Sequence, residues 1–129
     1  MLGFYGDDLD PVEVTARLGI QPTVGVRKGD CWVTSGGRQK MTPTGSWRLD
    51  ASDREPADLN GQINELLNVL SNDLTVWQSL SARFGDRIFC GIFLDTFNEG
   101  FDLRPETLLR LSERGLFIDF DVYGEGSQD

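Results

Sequence analysis

Histidine is absent from the 129 residues. That absence removes Ser-His-Asp and Cys-His catalysis, histidine metal sites and the side chain that most often serves as general base near neutral pH. Cysteine is scarce: Cys31 and Cys90 are far apart and lack metal-ligand spacing, so both are expected as reduced thiols, with Cys90 as a small core residue. No apolar run reaches the length of a membrane-spanning helix, and no N-terminal stretch joins a basic segment to an apolar core and a small-residue cleavage site. A cytoplasmic location is expected. Positive charge is also short, with 12 Lys and Arg against 21 Asp and Glu, a formal charge of −9. Such acidity argues against general affinity for nucleic acid or anionic membrane, which rests on neutralising phosphate. P-loop and Rossmann fingerprints are missing, and no cofactor is expected.

What is present reads as one α+β domain over 1–129, with 124–129 as a frayed tail. Hydrophobic residues make up 39% and charged residues 26%, values that place the chain with globular rather than disordered sequences. Arg87 to Asp95 is the longest apolar run and is expected to be the central strand, covered on both faces, with Ile92 and Phe93 both largely buried and Gly85-Asp86 as the turn before it. Leu2 to Tyr5 reads as a first strand. Asp10-Pro11-Val12-Glu13 supplies an N-cap carboxylate, proline at the first helical position and glutamate behind it, so a helix runs from Pro11 to Leu18 and stops at Gly19.

Between Gln21 and Trp47 glycine and proline dominate, and a hairpin with a long loop is expected, its strands near Val24 to Lys28, Cys31 to Thr34 and Ser46 to Leu49. Leu59, Ile63, Leu66, Leu67 and Leu70 form a helical stripe. Ser71-Asn72-Asp73 recaps it, and a second helix carries Trp77, Leu80 and Phe84 on one face, ended by Gly85. A further helix opens at Pro105 and stops at Gly115. The last strand, Leu116 to Tyr123, alternates an apolar face with one that carries Asp119 and Asp121. The order matches a ferredoxin-like β-α-β-β-α-β sheet with an added C-terminal helix and strand, the helices mostly on one face.

Asp8-Leu9-Asp10-Pro11, Leu18-Gly19-Ile20-Gln21-Pro22, Gly29-Asp30, Gly45-Ser46-Trp47-Arg48-Leu49 and Phe120-Asp121-Val122-Tyr123, in that order and spacing, resemble the DUF4279 family of small bacterial and viral proteins. The resemblance covers nearly the whole chain. It implies a single α+β domain, and it transfers no catalytic residues, because the family's name records an unknown function.

Two surfaces stand out. Residues 27–48 hold Arg27, Lys28, Arg38, Lys40 and Arg48 against Asp30 alone, +4 in a chain whose remainder is −13. With Trp32 and Trp47 they form a candidate binding loop, suited to stacking and phosphate contact; the competing reading is a solvated hairpin whose tryptophans pack inward. Asp7, Asp8, Asp119 and Asp121 form a candidate acidic surface. A cation site among Asp7, Asp8, Asp10 and Glu13 lacks EF-hand spacing, and capping accounts for part of that cluster. With no catalytic set in view, the expectation is a non-enzymatic binding module whose acidic surface meets a basic protein partner, in the manner of immunity proteins and phage inhibitors. The alternative is a small-molecule or nucleotide-binding domain that uses the basic loop and is enzymatic or not.

Overall fold

The computed structural model describes residues 1–124; of the tail expected to fray, 124–129, residues 125–129 lie outside the described residues. Among the described residues seven strands and four helices follow the order β1 (Leu2–Gly6), α1 (Pro11–Leu18), β2 (Val24–Val26), β3 (Cys31–Val33), β4 (Gln39–Met41), β5 (Gly45–Leu49), α2 (Leu59–Asn68), α3 (Leu74–Arg83), β6 (Gly85–Phe93), α4 (Pro105–Glu113) and β7 (Ile118–Tyr123). Five strands make one mixed sheet in the order β2-β5-β1-β6-β7, and β3 with β4 makes a separate two-stranded hairpin. All pairs are antiparallel except β6 with β7.

The helix ends follow their local chemistry. Asp10 accepts a hydrogen bond from the Val12 amide, Pro11 occupies the first turn, and Gly19 closes α1 at φ 88°, a left-handed conformation that glycine adopts without penalty. Asp58 and Asp73 cap α2 and α3 in the same way. The end of α3 departs from expectation. Phe84 is already extended at φ −128° and ψ 153°, and Gly85 and Asp86 are the first residues of β6 rather than a turn.

The register separates the faces of the sheet. Leu2 lies opposite Leu49 and Ile88, and Phe4 opposite Trp47, so these side chains share one face, because directly paired residues point the same way. All five are buried, together with Val14 and Leu18 of α1, Ile63, Leu66 and Leu67 of α2, Trp77 and Leu80 of α3, and Leu111 of α4. The core therefore lies between this face and the helices. Phe4 anchors it, its ring 6.0 Å from those of both Trp47 and Trp77.

This places the centre one strand away from its expected position. β1 is the middle strand, while β6 sits between β1 and β7, and only Ile88 and Cys90 of β6 are buried. Phe93 is 71% exposed. The unbroken apolar run misleads here because its second face is not covered by helices: Phe89 and Phe93 turn to the open face, where Phe93 stacks on Tyr123 at 4.7 Å. Among the described residues no helix is long and apolar enough to cross a membrane.

Candidate functional site

The face of the sheet turned away from the helices is built from the alternate residues of the same strands: Tyr5 of β1, Ser46 and Arg48 of β5, Arg87 and Phe89 of β6, Asp119 of β7. Gly3 matters locally, because the Tyr5 ring folds back across it, and a Cβ at position 3 would run into that ring. The flattened Tyr5 makes a floor for Arg87, whose guanidinium lies 5.5 Å from the Tyr5 and Phe89 ring centres. Arg87 also pairs with Asp119 at 2.5 Å, both side chains being more than one-third exposed, and its Nε is buried with no hydrogen-bond partner among the described residues.

Over this floor hangs the β3–β4 hairpin. Its turn is closed by bonds from the Gly37 amide to the Thr34 carbonyl and from the Thr34 amide to the Arg38 carbonyl, with Gly37 at φ 83°, a combination that the right-handed twist of a two-stranded ribbon favours. The base of the hairpin is tied to the loop after β1. Lys28 reaches Asp7 at 3.1 Å, Thr44 donates to the other Asp7 oxygen at 3.0 Å, and Arg27 pairs with Asp10 at 2.8 Å. The hydrogen bond from Lys28, then that from Thr44, hold the Asp7 carboxyl below its usual range.

Sheet and hairpin together enclose a groove of about 890 Å³. Tyr5, Val24, Val26 and Arg87 line its sheet side, and Trp32, Lys40 and Met41 its hairpin side, with Arg48 between them. Trp32 is 51% exposed. Among the described residues Lys40 and Arg48 form no ion pair and no side-chain hydrogen bond. Two unpaired cations, a tethered third and two rings thus share one concavity in a chain of net charge −9, an arrangement that can hold an anionic group and stack a planar one. Cys31 also lines the groove; it and Cys90 are free thiols, the first exposed and the second buried. Burial raises the Cys90 thiol.

The candidate loop is thus divided by the structure. Trp32, Lys40 and Arg48 meet in the groove, Arg38 stands at the hairpin tip, and Arg27 and Lys28 are engaged in tethering. Trp47 is a correction: it is fully buried, and its indole donates to the Thr15 hydroxyl at 3.0 Å. The reason is the pleat, since Trp47 shares a face with Gly45 and Leu49 while Ser46 and Arg48 take the other.

The candidate acidic surface is not one surface. Asp7 and Asp8 lie beyond the Gly6 end of β1, whereas Asp119 pairs with Phe89, whose amide bonds to Met1 at the opposite end. Asp7 and Asp119 are spent on Lys28 and Arg87, and Asp121 accepts from the Tyr123 hydroxyl at 2.7 Å. Among the described residues no three His, Cys, Asp or Glu side chains gather as they would around an ion.

Sequence reasoning passed over Tyr5, Met41 and Arg87. Tyr5 and Arg87 carried a signal, as polar-tipped residues alternating with core positions on strands. Their meeting depends on the pairing of β1 with β6, which local pattern does not specify.

A family model described as a domain of unknown function (DUF4279) matches residues 1–125 of the chain. No curated protein and no solved structure matches it.

Proposed function

The chain belongs to the DUF4279 family, whose description assigns no role, and from the chain's own geometry we propose a ligand-binding domain whose groove takes an anionic molecule bearing a planar ring, of the nucleotide class. The observation that carries this reading is the convergence of Lys40, Arg48 and Arg87 with Trp32 and Tyr5 on one concavity. Phosphate oxygens would meet the cations and a base would stack on an indole or phenol ring. Binding rather than catalysis is the better-supported reading, because the lining offers no histidine and no paired acid and base. A cytoplasmic setting goes with it, since an exposed free thiol at Cys31 suits a reducing compartment.

The order β2-β5-β1-β6 with antiparallel pairing throughout supports a finer reading of the first four strands of the sheet as a ferredoxin-like unit in a single domain, with α4 and β7 appended in parallel. Open sheet faces of such units are natural platforms for ligands, since the helices cover only the other side.

Thermal-shift titration with nucleoside mono- and triphosphates and sugar phosphates tests the proposal. A ligand at 100 times its Kd adds about 2.7 kcal/mol of stability, and the Lys40→Ser, Arg48→Ser double variant should lose that gain while unfolding normally without ligand. Absence of a shift with every member of the panel, or an equal shift in the double variant, overturns the reading.

A further inference from the structure

A second concavity, of about 700 Å³, lies at the far end of β6, between the loop before α2 and the loop between β6 and α4. Its floor is apolar. Leu59, Ile92 and Leu94 are half-buried there, and Phe101 remains 52% exposed although its ring packs against Phe120 at 5.6 Å. Phe93 borders the cleft, but its ring turns to the opposite face of the sheet and stacks on Tyr123; Phe97 in the adjoining loop is 97% exposed. The exposed ring of Phe101, with the aliphatic side chains beside it, leaves an apolar trough uncovered, the kind of surface at which a partner docks.

The rim selects what can cover that floor. Six carboxylates line the cleft against one cation, Arg54, and Arg54 is engaged by Asp58 at 3.0 Å and Glu65 at 3.2 Å. Glu99 is occupied within its own loop, accepting from the Asp95 and Thr96 amides. Among the described residues Asp53, Glu55, Asp95 and Asp102 have neither an ion pair nor a side-chain hydrogen bond, so four solvated carboxylates surround an apolar trough. A lipid surface, a nucleic acid or any other polyanion is repelled by such a rim. A second copy of the chain would bring −9 against −9.

We propose that this cleft docks a short extended segment of a partner protein in which large apolar side chains alternate with lysine or arginine. The apolar side chains fill the trough over Ile92 and Phe101. The flanking cations answer Asp53, Glu55, Asp95 and Asp102, which steers the encounter and rejects neutral or acidic segments. The surface is separate from the groove under the hairpin and shares no lining residue with it, so failure of either proposal leaves the other standing.

The test is fluorescence anisotropy with a labelled peptide of sequence Lys-Leu-Lys-Phe-Lys-Lys at low salt, using the full chain. Saturable binding is expected, weakening as salt shortens the screening length. Two changes should each reduce affinity roughly tenfold or more: Asp95→Asn with Asp102→Asn in the protein, and replacement of both apolar residues of the peptide by serine. Unchanged far-ultraviolet circular dichroism and thermal midpoint confirm that the variant is folded. A Glu55→Gln, Asp53→Asn variant on the opposite wall gives an independent second reading. Three outcomes overturn the proposal: no saturable binding, binding indifferent to the apolar residues, or salt-sensitive self-association that occupies the cleft and that the same Asp→Asn variants abolish.

Discussion

Trp32 and Trp47 come from one stretch of similar composition, yet one is exposed in a groove and the other fully buried. Pleat parity decides between them. In Gly45-Ser46-Trp47-Arg48-Leu49 the odd positions are apolar or small and the even ones polar, so the inward direction of Trp47 was legible in the sequence once the strand was granted. Trp32 sits in Cys31–Val33, where all three residues are exposed and alternation selects no face. The expected consequences differ accordingly. Trp47→Ala should cost about 3–5 kcal/mol in urea unfolding, because it empties a core site and leaves the Thr15 hydroxyl without its donor. Trp32→Ala should stay within about 0.5 kcal/mol of the parent and show its effect in ligand titrations instead. Equal destabilisation by the two changes would mean that the hairpin is part of the core.

Helices were the most legible elements, since proline, aspartate caps and left-handed glycine are local devices. Pro11–Leu18 has the expected bounds, and Ser71-Asn72-Asp73 separates α2 from α3 as its composition predicts. Strand order was not legible, because it depends on which strands pair at a distance. The apolar run of β6 reads as doubly covered when in fact one face meets the core and the other carries Phe89 and Phe93 into the open. Of the β3–β4 hairpin only the first strand, near Cys31 to Thr34, was expected, while Gln39–Met41 fell in the expected long loop; such three-residue strands carry little of the pattern that marks buried elements. Paired substitutions expose which strand organises the fold. Phe4→Ala in the middle strand should cost about 3–5 kcal/mol. Phe93→Ala, which removes a stacked but exposed ring, should cost less than about 1 kcal/mol. Urea midpoints of the two variants, at equal slope, give the comparison directly, and the reverse ranking would restore β6 as the organising strand.

Across the whole molecule an excess of negative charge is set against a few local compensations, and the balance between them fixes the response to pH. Several carboxyls are held low in the fold: Asp7 chiefly by Lys28, Glu13 by Arg83, Glu65 by the Ser52 amide and Asp73 by Thr75. A depressed group contributes stability that is present above its unfolded value and lost only as pH falls through its lower folded value, so these four keep their contribution at pH 5. Asp7 and Asp73 are exposed and Glu13 and Glu65 half-buried at the surface, and screening by solvent makes each contribution small. Asp86 runs the other way. Burial raises its carboxyl, with the Ser81 hydroxyl at 2.5 Å only partly offsetting it. A raised group favours folding below its unfolded value and loses that advantage as pH rises through its folded value, so ionised Asp86 is a cost at neutral pH. Self-repulsion among the 21 acidic residues also eases as carboxyls begin to protonate. Both effects stabilise the protein on mild acidification before the four depressed carboxyls are reached. Burial lowers the Met1 amine, which opposes the trend just below pH 8, so the thermal midpoint should rise from pH 7 to about pH 5 and fall steeply below about pH 4. Added salt should flatten the rise by screening repulsion, while Asp86→Asn should lift the midpoint at neutral pH and leave it little changed in acid. A midpoint that instead declines steadily from pH 7 to pH 5 would mean that the exposed ion pairs outweigh the repulsion they sit in.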